Sequence, residues 1–140
     1  MQSPTESMQL PLLLSASFGK FNKKIDRALG IHGISFTEYL VLHQLCNAPE
    51  TVMSRIELAE SVNLSASGVT RLLRPMEKIH LVRKARNNRD ARYSLVTPTE
   101  AGMQLYQHAA VTVQQSADSL AQPLTGRQVT NLVELLEKIG

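Results

Sequence analysis

Residues 55–74 read Arg55-Ile56-Glu57-Leu58-Ala59-Glu60-Ser61-Val62-Asn63-Leu64-Ser65-Ala66-Ser67-Gly68-Val69-Thr70-Arg71-Leu72-Leu73-Arg74. Leu58, Val62, Leu64, Val69 and Leu72 fall at the apolar offsets that two short helices need to cross near a right angle. Ala59 is the small residue such a crossing requires. Asn63 occupies the turn, where glycine is usual, and Asn tolerates positive φ better than most residues. Ser65 is a natural cap for the second helix. The pattern predicts a helix-turn-helix; two ordinary core helices with coincidental spacing are the alternative.

The outward residues near the start of the second helix are Ala66, Ser67, Gly68, Thr70, Arg71 and Arg74. Short side chains at Ala66, Ser67 and Gly68 would let the backbone approach a DNA major groove. Arg71 or Arg74 could make a bidentate contact to guanine, worth about 1–3 kcal/mol of discrimination. Ser65, Ser67 or Thr70 could bind phosphate at the helix N-terminus. Solvated surface arginines are the alternative. Pro75 is expected to kink or break this helix.

Charge concentrates around the same segment. Between Arg55 and Arg92 there are nine basic and four acidic residues, a net +5 in a chain whose total is +3. Such a block is the electrostatic footprint of a phosphate binder, or else a solvated basic face. Leu81 to Arg86 and Arg92 to Thr97 read as two strands joined by Asn87-Asn88-Arg89-Asp90, whose residues favour turns. This hairpin would carry Arg86, Arg89 and Arg92 beside a groove, with Asp90 able to pair with Arg92. Narrow minor grooves attract such arginines.

Helices flank this unit. A first helix is expected from about Leu10 to Leu29, striped by Leu10, Leu14, Phe18, Phe21, Ile25 and Leu29 and ended by Gly30 and Gly33. A second is expected over Phe36 to Asn47, a short one over Arg55 to Ser61, and the next over about Ala66 to Ile79. The last two cover about Thr99 to Ala121 and Gly126 to Ile139. Four capping boxes mark helix starts: Ser35 with Glu38, Ser54 with Glu57, Thr97 with Glu100, and Thr125 with Gln128. Pro98 fits a first helical position.

The 140 residues fit one structural domain, long enough to bury a core without disulfide or metal. Cys46 is the single cysteine, which excludes an internal disulfide framework and points to a reducing compartment. No membrane span or secretory leader is expected, so a cytoplasmic, soluble protein is. The four histidines show no paired metal-ligand spacing, so no metal site is expected. No phosphate loop, nucleophile elbow or metalloprotease motif suggests an enzyme, and no cofactor is expected.

Residues 34 to 102 resemble the MarR family of winged-helix transcription regulators. The resemblance is carried by Ile34-Ser35-Phe36-Thr37-Glu38-Tyr39, by the helix-turn-helix, by Leu81-Val82-Arg83-Lys84, and above all by Asp90-Ala91-Arg92-Tyr93-Ser94-Leu95-Val96-Thr97-Pro98-Thr99-Glu100-Ala101-Gly102. It implies a mainly α fold: a winged helix-turn-helix over 35–100 with a two-stranded β wing, between dimerisation helices over 1–34 and 101–140. It also implies a homodimer and a double-stranded DNA partner. Arg92 would be the wing arginine and Asp90 its partner. His80 departs from the pattern, since many relatives have glycine at that helix end. The stripes Val113, Ala117, Leu120 and Leu124, then Val129, Leu132, Val133, Leu136 and Ile139, exceed what a small winged-helix core covers, unless they form an intramolecular bundle.

Many members answer to a small aromatic effector. Phe18, Phe21, Ile34, Phe36, Tyr39 and His43 are the candidates here, with ordinary core packing as the alternative. Cys46 reads as an inert thiol, since no basic residue sits beside it in sequence. The expected function is a ligand-responsive, sequence-specific repressor. A winged-helix protein-interaction module and a nonspecific DNA binder are the competing readings.

Overall fold

The computed structural model describes residues 3, 5–86 and 94–140. In chain order its elements are α1 (Glu6–Leu29), α2 (Phe36–Asn47), β1 (Met53–Ser54), α3 (Arg55–Ser61), α4 (Ala66–Lys78), β2 (Val82–Arg86), β3 (Ser94–Pro98), α5 (Glu100–Ala121) and α6 (Gly126–Ile139). Short 3-10 turns lie at Gly30–His32 and Pro49–Thr51. The mainly α class and the winged-helix architecture agree with the sequence reading.

Helix α1 begins four residues earlier than expected. Thr5 caps it, accepting from the Met8 amide at 3.2 Å, and Glu6 complements the dipole in the first turn. Its stop is Gly33, at φ 73, after a 3-10 turn; Gly30 stays right-handed. Ser35 and Glu38 form a complete capping box, as do Thr125 and Gln128. Ser54 caps α3 through the Glu57 amide.

The expected box at Thr97 is not formed. Thr97 is buried in β3 and donates to the Thr51 carbonyl at 2.8 Å, while Pro98 closes the strand opposite Val82. Thr99 caps α5 instead, accepting from the Gly102 amide. The bond to Thr51 takes the Thr97 hydroxyl away from the helix start.

The wing sheet has three strands rather than two. Its order is β1-β3-β2, all antiparallel, with Met53 opposite Val96 and Ser54 opposite Leu95. A two-residue strand has no alternation to read; its partner strand defines it. Helix α4 runs through Pro75 to Lys78 without the expected break. The missing N–H deprives only the carbonyl of Arg71, which lies on the exposed side of the helix.

The core joins α1, α2, α3, α4, the sheet and α5 through Leu29, Val41, Leu42, Leu45, Leu58, Val69, Leu73, Met76, Val82, Val96 and Ala109. Gly102 lets α5 start against the end of the α4–β2 connection: a Cβ there would lie 2.0 Å from the Leu81 carbonyl oxygen. Thr99 adds a hydrogen bond from its amide to that same carbonyl, at 3.0 Å. The strand β3, the start of α5 and the end of α4 are thereby tied at one point.

Candidate nucleic-acid interface

The turn between α3 and α4 has the geometry the sequence asks for. Asn63 adopts φ 56. The Leu64 amide donates to the Ala59 carbonyl at 3.0 Å and the Asn63 amide to that of Glu60 at 3.4 Å. This paired closure satisfies the carbonyls at the end of α3. Leu58 and Val69 are fully buried, while Val62, Leu64 and Leu72 pack half-buried around them. The end of α4 closes the same way through His80, at φ 61, with the Leu81 amide on the Met76 carbonyl.

This packing leaves one side of α4 to solvent. Ser65, Ser67, Arg71 and Arg74 are exposed; Gly68 and Thr70 are half-buried. Ser65 caps the helix through the Gly68 amide at 3.1 Å, and its hydroxyl also meets that of Ser67 at 3.2 Å. A Cβ on Gly68 would meet the Ser65 hydroxyl at 3.1 Å, so the cap itself already restricts that position. Arg86 is exposed at the end of β2, as are Arg83 and Lys84 before it. Arg89, Asp90 and Arg92 lie outside the described residues.

Arg55 is half-buried and held by side chains of its own unit. It donates from Nη1 to the Thr70 hydroxyl at 2.9 Å and from Nε to Ser94 at 3.1 Å, and pairs with Glu77 at 3.5 Å. Thr70 in turn donates to the Ala66 carbonyl. Thr70 is therefore held from inside the unit, beside but apart from the exposed Arg71. No sequence signal exposes this: Arg55, Thr70, Glu77 and Ser94 lie far apart in the chain.

The aromatic candidates divide. Phe36, Tyr39 and His43 line up along α2, with ring centroids 6.2 and 6.3 Å apart in succession. Tyr106 from α5 joins them, 5.4 Å from Tyr39, and its hydroxyl meets His43 Nδ1 at 2.7 Å. Burial, then the neighbouring Tyr106, pushes Tyr39 up to about 12. Phe18 and Phe21 form a separate edge-on pair. Phe21 lines a cleft of about 330 Å³ between α1 and α5, and Phe18 another of about 530 Å³ toward the α3–α4 turn. Ile34 is a buried core residue. Among the described residues the six effector candidates thus do not line one shared cavity, and Tyr106, which no sequence signal singles out, joins three of them.

Cys46 is half-buried, and burial pushes its thiol up. Among the described residues, no three His, Cys, Asp or Glu side chains gather as a metal site would require. No helix among them is long and apolar enough to cross a membrane.

The family model for the transcriptional regulator SarA/Rot matches residues 21–109, from the middle of α1 through the wing to α5. The chain belongs to this SarA/Rot family of transcriptional regulators, which has the MarR-type winged helix. As a member of that family, the chain is a regulator of transcription. It is 22% identical over 135 residues to the HTH-type transcriptional regulator MhqR of Bacillus subtilis (strain 168), covering 96% of this chain and 92% of MhqR. Its fold matches the transcriptional regulator BldR of Sulfolobus solfataricus, with a TM-score of 0.88, 24% identity and coverage of 99% and 97%. It also matches a mutant MarR from E. coli complexed with operator DNA, with a TM-score of 0.84, 24% identity and coverage of 96% and 95%.

Proposed function

We propose that this SarA/Rot-family regulator binds duplex DNA sequence-specifically as a homodimer, represses by occupying a pseudo-palindromic operator, and responds to a small aromatic ligand. One observation carries the reading. Helix α4 offers Ser65, Ser67, Arg71 and Arg74 on its exposed side, and the adjoining β2 exposes Arg83, Lys84 and Arg86. A helix of this size enters a major groove about 12 Å wide. There Arg71 and Arg74 read guanine edges, while Ser65, Ser67 and the backbone near Gly68 meet phosphate. Thr70 takes no base contact in this reading, because Arg55 holds it. Arg86, Arg89 and Arg92 follow the wing toward the minor groove, with Asp90 orienting Arg92.

Dimerisation is supported by what the single chain leaves uncovered. Every residue from Glu6 to Lys20 is exposed, including Leu10, Leu13, Leu14 and Phe18. In α6 every residue but Val129 is exposed, including Leu132, Leu135, Leu136 and Ile139. Burying one such side chain gains about 1.5–3 kcal/mol, so this much apolar surface calls for a partner, and an intramolecular bundle does not supply it. A two-fold dimer would present its two α4 helices to half-sites about one helical turn apart. The Phe36–Tyr39–His43 row, with Tyr106, is the surface we assign to the aromatic ligand. The ligand would act by favouring a dimer whose half-site spacing no longer fits.

The test is selection of genomic fragments by the purified protein at about 150 mM salt, followed by sequencing. Enrichment of one inverted repeat is the expected result. Uniform retention of all duplexes would indicate a nonspecific binder. No retention, with or without aromatic ligands, by a folded dimer would leave a protein-interaction module.

A further inference from the structure

We infer that Arg55 is a positioning residue that sets the angle between the recognition helix α4 and the wing, and so governs discrimination between DNA sequences rather than attraction to DNA; the inference rests on the DNA-binding reading above. Arg55 is the first residue of α3, and its side chain is only 20% exposed. Its three nitrogens are directed to three places. Nε donates to Ser94 Oγ on β3 at 3.1 Å, Nη1 to Thr70 Oγ1 at 2.9 Å, and Nη2 meets Glu77 Oε1 at 3.5 Å.

Thr70 and Glu77 stand seven residues apart on one face of α4, so the guanidinium spans about two turns of that helix. Ser94 is the first residue of β3 and lies opposite Arg86 of β2. One planar group therefore ties α3, α4 and β3 together. Lysine has no fork with which to do this. Glu77 neutralises the charge locally, and the Thr70 hydroxyl gives its own proton to the Ala66 carbonyl at 3.1 Å.

The consequence follows from how the two kinds of DNA binding differ. Nonspecific affinity depends on the number of phosphates neutralised and tolerates small rotations. Base contacts from Arg71 and Arg74 require helix and wing to sit in register together. Loosening the Arg55 fork should cost the second and spare the first.

The experiment compares full-length wild type, Arg55→Lys, Thr70→Val and Ser94→Ala. Each is titrated with the selected operator and with a scrambled duplex of equal length, over a salt series, alongside a thermal melt. Arg55→Lys and Thr70→Val are expected to lower operator affinity about tenfold. Scrambled-duplex affinity and both salt slopes should stay at the wild-type values. Equal losses on both duplexes, with the slope reduced by about 1, would make Arg55 a phosphate contact and overturn the inference. So would unchanged operator binding by folded variants, or a loss in Thr70→Val that Arg55→Lys does not share. Should Arg55→Lys fail to fold, Thr70→Val and Ser94→Ala decide alone: wild-type discrimination in both overturns the inference, and loss of discrimination supports it. A wild type that shows no operator preference removes the DNA reading itself, before any variant is compared.

Discussion

Asn63 and His80 both close helices from the left-handed region, at φ 56 and φ 61, with the same pair of backbone hydrogen bonds. An L side chain there costs about 1–2 kcal/mol, less for Asn. His80→Gly is therefore expected to raise stability by about 1 kcal/mol in a denaturant titration, after the entropy that glycine gains in the unfolded chain. Asn63→Gly should change it by less than about half of that. At Gly102 the opposite holds. A Cβ 2.0 Å from the Leu81 carbonyl oxygen forces backbone to move, and Gly102→Ala is expected to cost about 3 kcal/mol. Arg71→Ala and Arg74→Ala, both at exposed positions, should leave the melting temperature unchanged. If the α4 reading holds, at least one weakens operator binding by about 1–3 kcal/mol and relaxes the preference for one base.

The contact of α2 with α5 is made in part by Tyr39 and Tyr106. Tyr39 is pushed from 10.0 up to about 12 in the fold, chiefly by burial. Its neutral form is the one the fold prefers, so this contribution to stability is fully present below pH 10 and is lost as pH rises toward 12. Tyr39→Phe cannot ionise, so its stability should decline less across that window in unfolding curves taken at successive pH values. The start of α5 gives a second measurement. Thr99→Ala removes the cap on the Gly102 amide and should cost about 1 kcal/mol. Thr97→Val, which keeps the buried shape but loses the bond to Thr51, separates the strand threonine from the capping one.

In the whole molecule, most of the exposed large apolar side chains among the described residues lie on α1 and α6. Leu132 and Leu136 stand four apart on α6, 47% and 40% exposed. Leu132→Asp with Leu136→Asp should cost a single chain little, because both side chains lie outside its hydrophobic core. In a dimer it would place two charges in an apolar interface. The expected outcome is a wild-type dimer and a monomeric double variant by sedimentation velocity at micromolar concentration. A monomeric wild type would contradict the assembly proposed here.

The helix-turn-helix was legible in residues 55–74 because its requirements are local. Apolar spacing, a small residue at Ala59, a turn residue able to take positive φ and a capping serine all lie within 20 consecutive positions. The boundaries of α2, α3 and α6 were legible for the same reason: their caps lie within a few residues of the amides they satisfy. What local pattern could not decide was which of several competent groups a distant partner would claim. Thr97 with Glu100 has the capping-box pattern in sequence, but the Thr51 carbonyl, 46 positions from Thr97, took that hydroxyl and Thr99 caps the helix. Met53 and Ser54 became a strand only because β3 passes beside them. Phe18, Phe21 and Phe36 share a residue type but face different surroundings. Arg55 looked like one more charge in a basic block until folding brought Thr70, Glu77 and Ser94 around it. Sequence alone determined the helices, their order and the reading unit, since backbone hydrogen bonding and apolar periodicity act over one or two turns. Only the tertiary structure decided which polar groups meet across elements, because those distances depend on how the whole core packs.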